Sequence, residues 1–148
     1  MNIDRFNERI LQELQLDGKL SNVDLAERIG LSPSATLRRV QELEKNGVIK
    51  GYRAIIDKSK LNIGFIAYVT IGLADHSKKG QLTFQEHVQY APEVVECHNI
   101  TGMNEYILRV ETKDLPAFRR FHSDVLGECQ PVRSITTMVV MDSSKDER

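Results

Sequence analysis

Apolar residues in the first third of the chain recur every three or four positions, whereas later they crowd into short runs. Ile3, Phe6, Ile10, Leu11 and Leu14 form a helical stripe, so a helix is predicted over Asp4–Leu16, capped by Asp4 and ended by Gly18. Leu25 with Ile29, and then Val40 with Leu43, carry similar stripes in two shorter segments. Ser21 and Asp24 sit three apart, close to a capping-box spacing. Gly30 stops the first of these helices, because glycine takes the left-handed conformation that a helix end needs. Leu31 plugs the angle between the two. Ser32 is placed to cap the second, and Pro33 at its first turn loses an N–H that has no partner there anyway.

After Gly47 the grammar changes. Tyr52, Ala54 and Ile56 alternate with Arg53, Ile55 and Asp57, the pattern of an extended wing or hinge, and 58–63 (KSKLNI) reads as a connector. The boundaries predicted are a helix-turn-helix domain over 1–49, a hinge strand and linker over 50–62, and a second domain over 63–148. In that second domain Phe65–Leu73 is a dense β-branched and aromatic run, hence a strand. A polar loop over Ser77–Gly80, a helix over Thr83–Tyr90 and a strand over Val94–Thr101 follow. A turn over Gly102–Asn104 leads to a strand over Tyr106–Glu111. Asp114 then caps a helix to Leu126 with Leu115, Phe118, Phe121, His122 and Val125 inward, and Val132–Met141 is the last strand. The polar tail SSKDER is expected to fray. The fold class is therefore α+β: an N-terminal winged helix-turn-helix joined by a β-hinge to a C-terminal ferredoxin-like βαββαβ domain. Both helices of such a domain lie on one sheet face. The runs 65–73 and 135–141 make the other face apolar as well, which predicts a homodimer stacked sheet on sheet.

Composition narrows the function. The 148 residues suffice for one ordinary domain or two small ones, and the net charge of −1 argues against a general polyanion coat. The first 60 residues hold 11 Lys/Arg against 9 Asp/Glu, a net of +2, which leaves −3 for the rest. A basic head on an acidic body suits DNA binding by the head. Cys97 and Cys129 show no metal or redox spacing and read as reduced thiols. No stretch approaches the roughly 20 apolar residues of a membrane span, and no apolar leader is evident. No membrane partner and a cytoplasmic, nucleoid-associated location are expected. His76, His87, His98 and His122 are not at metal spacing, and no metal site is expected. No nucleophile elbow, P-loop or dinucleotide fingerprint occurs, so no catalytic residue is assigned.

The helix-turn-helix presents the first turns of its second helix outward. Ser34, Arg38 and Arg39 are the leading candidates for contact with double-stranded DNA, with Ser32, Pro33, Leu37 and Arg53 behind them. Paired heads would read half-sites about one helical turn of DNA apart.

LQELQLDGKLSNVDLAERIGLSPSATLRRVQELEKNGVIKGYRAIID, APEVVECHNITGMNEYILRVETKDLPAF and VRSITTMVVM together resemble the Lrp/AsnC, or feast/famine, family of transcription regulators over nearly the whole chain. The resemblance implies homodimers built through the C-terminal sheet and the hinge strand, assembled further into tetramers or octamers. It also implies an amino-acid effector at an interface between dimers, and no other cofactor. By that resemblance the turn Thr101, Gly102, Met103, Asn104, Glu105 and Tyr106 helps form the pocket, with Thr136 and Thr137 adding hydroxyls and Glu105 answering an α-ammonium. Many relatives place Asp-Tyr or Asp-Phe directly after this glycine. Met103-Asn104 stands there in this chain, and an apolar Met103 favours leucine or methionine.

Two other readings compete: an architectural DNA-binding protein without an effector, and an enzyme resembling the sirohaem decarboxylases on the same frame. Catalysis would need histidines and basic residues around a large cleft. His98 and Arg109 are the only nearby candidates, and strand alternation is expected to separate them onto different faces.

Overall fold

A computed structural model describes residues 3–146. The described chain divides into two compact units, one running to Ile55 and the other starting at Ile56.

The first unit holds three helices: α1 (Arg5–Leu16), α2 (Asn22–Ile29) and α3 (Pro33–Lys45). Each begins at a side-chain cap. Asp4, Ser21 and Ser32 accept from the backbone N–H groups of Asn7, Asp24 and Ala35, satisfying donors that the helix itself leaves open. Gly30 closes α2 at φ 74°, a left-handed conformation that costs glycine little. Ile10, Leu25, Ile29 and Leu43 are the fully buried centre, with Leu11, Leu14, Leu20, Leu31, Val40 and Ile49 packed around it. Arg9 caps the far end of α2 by donating to the carbonyls of Arg28 and Ile29.

From Gly51 to Asp57 the chain forms no strand. The alternation predicts a hinge strand, but a strand is a pairing, and this segment has no ladder partner within the described chain. Tyr52, Ile55 and Ile56 stand exposed along it.

In the second unit a 3-10 turn (Lys58–Leu61) precedes β1 (Phe65–Leu73), α4 (Lys78–Gln89), β2 (Val94–Asn99), β3 (Tyr106–Thr112), α5 (Leu115–Phe121), a π turn (His122–Leu126) and β4 (Val132–Val139). The strands form one antiparallel sheet in the order β2-β3-β1-β4, the ferredoxin-like arrangement. Ala67, Val69, Ile71, Leu73, Leu108 and Val110 share one face with Tyr106 and bury Phe84 and Val88 of α4 and Phe118 and Phe121 of α5.

Several elements depart from the sequence reading. Helix α4 starts at Lys78 rather than Thr83, because Ser77 is its N-cap and accepts from Gly80 N–H at 3.2 Å. Gly80 looks like a loop residue, yet a Cβ there would lie 2.5 Å from the Asp75 carbonyl oxygen, so only glycine fits. The fifth helix is regular only to Phe121, where it widens into the π turn. Leu115 opens that helix and points outward, while His122 and Val125 are half-buried. Tyr90, just past the end of α4, is exposed. Strands β2 and β4 end two residues early, at Asn99 and Val139, and β3 runs one further, to Thr112.

The second sheet face is not apolar throughout, as the runs suggested. Alternation gives it Ile66, Tyr68, Thr70, Ile107, Arg109, Glu111, Thr136 and Met138, with Glu96 and His98 from β2. Arg109 is only 5% exposed there. It donates to Glu111 at 2.9 Å and to the Tyr68 hydroxyl at 2.8 Å, and its third partner is the Asp146 carboxylate. Burial works against its charge, but these acceptors outweigh that and hold the guanidinium pKa above its ordinary value. The tail was expected to fray; Asp146 instead reaches back to Arg109, and Glu147 and Arg148 lie outside the described residues. His98 and Arg109, expected on different faces, share this one.

Candidate DNA-reading helix and effector turn

Helix α3 presents two faces of different character. Thr36 and Leu43 are buried and Val40 half-buried, whereas Ser34, Leu37, Arg38, Gln41 and Lys45 form the exposed stripe. Ser32 serves as the cap and its oxygen lies 3.3 Å from the Ser34 hydroxyl. Pro33 occupies the first turn, and its carbonyl accepts from the Asn22 amide at 2.7 Å. Arg53 is exposed in the strandless segment. Gln41 was missed by the sequence reading, although it lies three residues after Arg38 and four after Leu37, the spacing that marks one helix face.

Arg39 departs from expectation. Its Nη1 donates to Asp4 Oδ2 at 2.8 Å and to Asn7 Oδ1 at 2.9 Å, and its guanidinium carbon lies 5.4 Å from the centre of the Phe6 ring. It sits at the edge of the buried stripe, three residues after Thr36 and four before Leu43, so helical geometry turns it towards α1. The Asn7 backbone N–H and then the Arg39 guanidinium hold the Asp4 carboxyl below its ordinary pKa.

The turn between β2 and β3 is built by hydrogen bonds to β1. Glu105 N–H donates to the Ile71 carbonyl at 2.9 Å. The Glu105 carboxylate accepts from Leu73 N–H at 2.7 Å and meets His76 Nδ1 at 2.8 Å. The Leu73 bond in particular holds its pKa below the usual carboxylate value. Asn104 donates to the Thr70 hydroxyl at 3.2 Å. Gly102 has φ 121° with open space where a Cβ would be, and Met103 beside it is 98% exposed; Thr101 is exposed too.

Not every residue assigned to this turn joins it. Tyr106 is 1% exposed on the core face, stacked against Phe84, and its hydroxyl accepts from Gln85 at 2.7 Å. Thr136 and Thr137 point to opposite faces because side chains alternate along a strand. Thr136 pairs with Thr70, on the face that Asn104 reaches, while Thr137 pairs with Val69 on the helix side. Thr70 and Ser134, which the sequence reading omitted, flank the same spot: a Cβ on Gly72 would meet Ser134 Oγ at 2.3 Å and Asn104 Oδ1 at 3.3 Å.

A capped helix-turn-helix followed by an α+β sheet domain defines a DNA-binding regulator with an accessory domain. Residues 3–50 match the winged helix-turn-helix DNA-binding family model, and residues 66–148 match the Lrp/AsnC ligand binding domain. The leucine-responsive regulatory protein of Escherichia coli K12 is 36% identical over 143 residues, spanning 97% of this chain and 87% of that protein. Among solved structures, a transcriptional regulator from Neisseria meningitidis in complex with L-Met matches with a TM-score of 0.94 and 33% identity, covering 99% of this chain and 94% of that one. The feast or famine regulatory protein from Mycobacterium tuberculosis, complexed with L-methionine, matches at 0.90 and 26%, covering 99% and 97%. The chain belongs to the Lrp/AsnC family of DNA-binding transcription regulators. Its named relatives are regulators rather than enzymes. Among the described residues no helix is long and apolar enough to cross a membrane.

Proposed function

We propose that this regulator senses an amino acid, with leucine or methionine the leading candidates, at an interface between dimers, and that binding changes assembly or DNA affinity. The observation that carries the reading is the L-methionine held by two full-length structural relatives. In this chain the residues proposed to hold the ligand are Thr101, Gly102, Met103, Asn104 and Glu105, with Thr136 and the neighbouring Thr70 and Ser134. Exposed N–H groups beside Gly102 suit a carboxylate, and Met103 offers an apolar wall. Glu105 is engaged by Leu73 N–H on one oxygen and by His76 on the other, so an α-ammonium would share this carboxylate with them or displace His76.

The proposed division of labour is DNA reading over 1–49, a hinge over 50–62, and effector binding with oligomerisation over 63–148. The unpaired, apolar stretch at Tyr52–Ile56 supports pairing with the same stretch of a second copy, since an exposed edge of that kind is a template for another chain. Ser34, Leu37, Arg38 and Gln41 are proposed to meet DNA, with Arg53 on phosphate. A ligand then regulates only through its different affinity for two assemblies.

Isothermal titration with leucine, methionine and the other amino acids, with light scattering for assembly size, tests this reading. Saturable binding of one amino acid is expected, weakened in Thr136→Val and unchanged in Thr137→Val. Assembly and DNA affinity that ignore every amino acid would overturn it in favour of an architectural, effector-independent regulator.

A further inference from the structure

We infer that Arg39 is a positioning residue that sets the reading helix against α1, and that it does not itself contact DNA. The inference rests on α3 being the DNA-facing helix. One guanidinium nitrogen, Nη1, is shared between Asp4 Oδ2 at 2.8 Å and Asn7 Oδ1 at 2.9 Å, and the group also lies over the Phe6 ring. All three partners belong to the start of α1. Asn7 is buried, so its side-chain oxygen has little access to water, and Arg39 is the donor that satisfies it. Asp4 is occupied twice, by its own capping bond to Asn7 N–H and by Arg39. Turning Arg39 out to a phosphate would leave the Asn7 oxygen without its donor and break the ion pair. Neighbouring Arg38 makes none of these contacts and stands exposed. Two adjacent arginines thus divide the work: Arg38 meets the nucleic acid, and Arg39 fixes the direction in which α3 presents it. Base readout needs that direction, whereas attraction to phosphate depends mainly on charge.

The experiment compares binding to a duplex enriched by the intact protein from a random pool with binding to poly(dI-dC), each over a range of salt. Arg39→Ala is expected to lose roughly 10-fold or more of the preference for the enriched duplex while keeping the salt slope. Asp4→Asn, which retains a capping oxygen, should lose part of the same preference. Arg39→Lys should restore most of it, because one ammonium nitrogen can serve both acceptors. Arg38→Ala, whose slope should fall by about 1, separates failure of this role from failure of the α3 interface itself. A slope that drops by about 1 in Arg39→Ala, or a preference that Arg39→Lys does not restore, overturns the inference in favour of a phosphate or base contact. Should Arg39→Ala not fold, Arg39→Lys and Asp4→Asn decide by the same two readouts.

Discussion

The side-chain amide of Asn22 donates to the Pro33 carbonyl at 2.7 Å, tying the first residue of α2 to the first residue of α3. The bond spans the turn of the helix-turn-helix and helps fix where α3 begins. Asn22→Ala is expected to cost about 1 kcal/mol, seen as a lower thermal midpoint of the helical unit. Asn22→Asp should not rescue it, because a carboxylate cannot donate to a carbonyl. An unchanged midpoint in both variants would show that the bond is spent against water.

Gly80 gives a prediction whose sign opposes helix propensity. Alanine is the better helix former by about 1 kcal/mol, and Gly80 lies inside the first turn of α4. A methyl group there would meet the Asp75 carbonyl oxygen at 2.5 Å and Asp75 Cβ at 2.9 Å. Crowding of that kind costs roughly 1–3 kcal/mol, so Gly80→Ala should be destabilising in chemical denaturation. A stabilised variant would mean that the Asp75 loop moves away freely.

Glu105 links the turn between β2 and β3 to pH. Its pKa is lower in the folded chain than the ordinary 4.5, chiefly because Leu73 N–H donates to the carboxylate, with a contribution from His76. A depressed carboxyl contributes stability that is fully present above the unfolded pKa and lost as pH falls through the folded one. The melting midpoint of the intact chain should therefore exceed that of Glu105→Gln near neutral pH, and the gap should narrow as pH falls below the ordinary carboxylate pKa and through the lower folded one. A gap that stays constant over this range would refute the assignment.

Much of this architecture was legible in the residues. The caps Asp4, Ser21 and Ser32 announce three helices, Gly30 with Pro33 marks the turn between two of them, and the β-branched run at Phe65 marks the central strand. The differences come from contacts that a pattern of residue types does not display, some of them local and some between residues distant in sequence. Gly80 reads as a loop until Asp75 is seen against it. Arg39 reads as an unpartnered surface arginine until α1 brings Asp4 and Asn7 to it. Thr136 and Thr137 look equivalent until the register with Thr70 and Val69 separates them. The alternation at Tyr52–Asp57 has no partner strand among the described residues. Tyr106 shows the converse: the signal was in the sequence, because strand alternation with Leu108 and Val110 already sends it to the core.

The two units keep separate cores, and they are unequal. The helical one centres on Ile10, Leu25, Ile29 and Leu43, while the sheet domain buries a far larger cluster that includes Phe84, Tyr106, Phe118 and Phe121. Small domains bury a smaller fraction of their surface and are correspondingly marginal. Calorimetry of such a chain is expected to record two events rather than one cooperative transition. The helical unit, with the smaller core, is the one expected to melt first. A regulator built this way is expected to let go of DNA on warming while its larger domain is still folded.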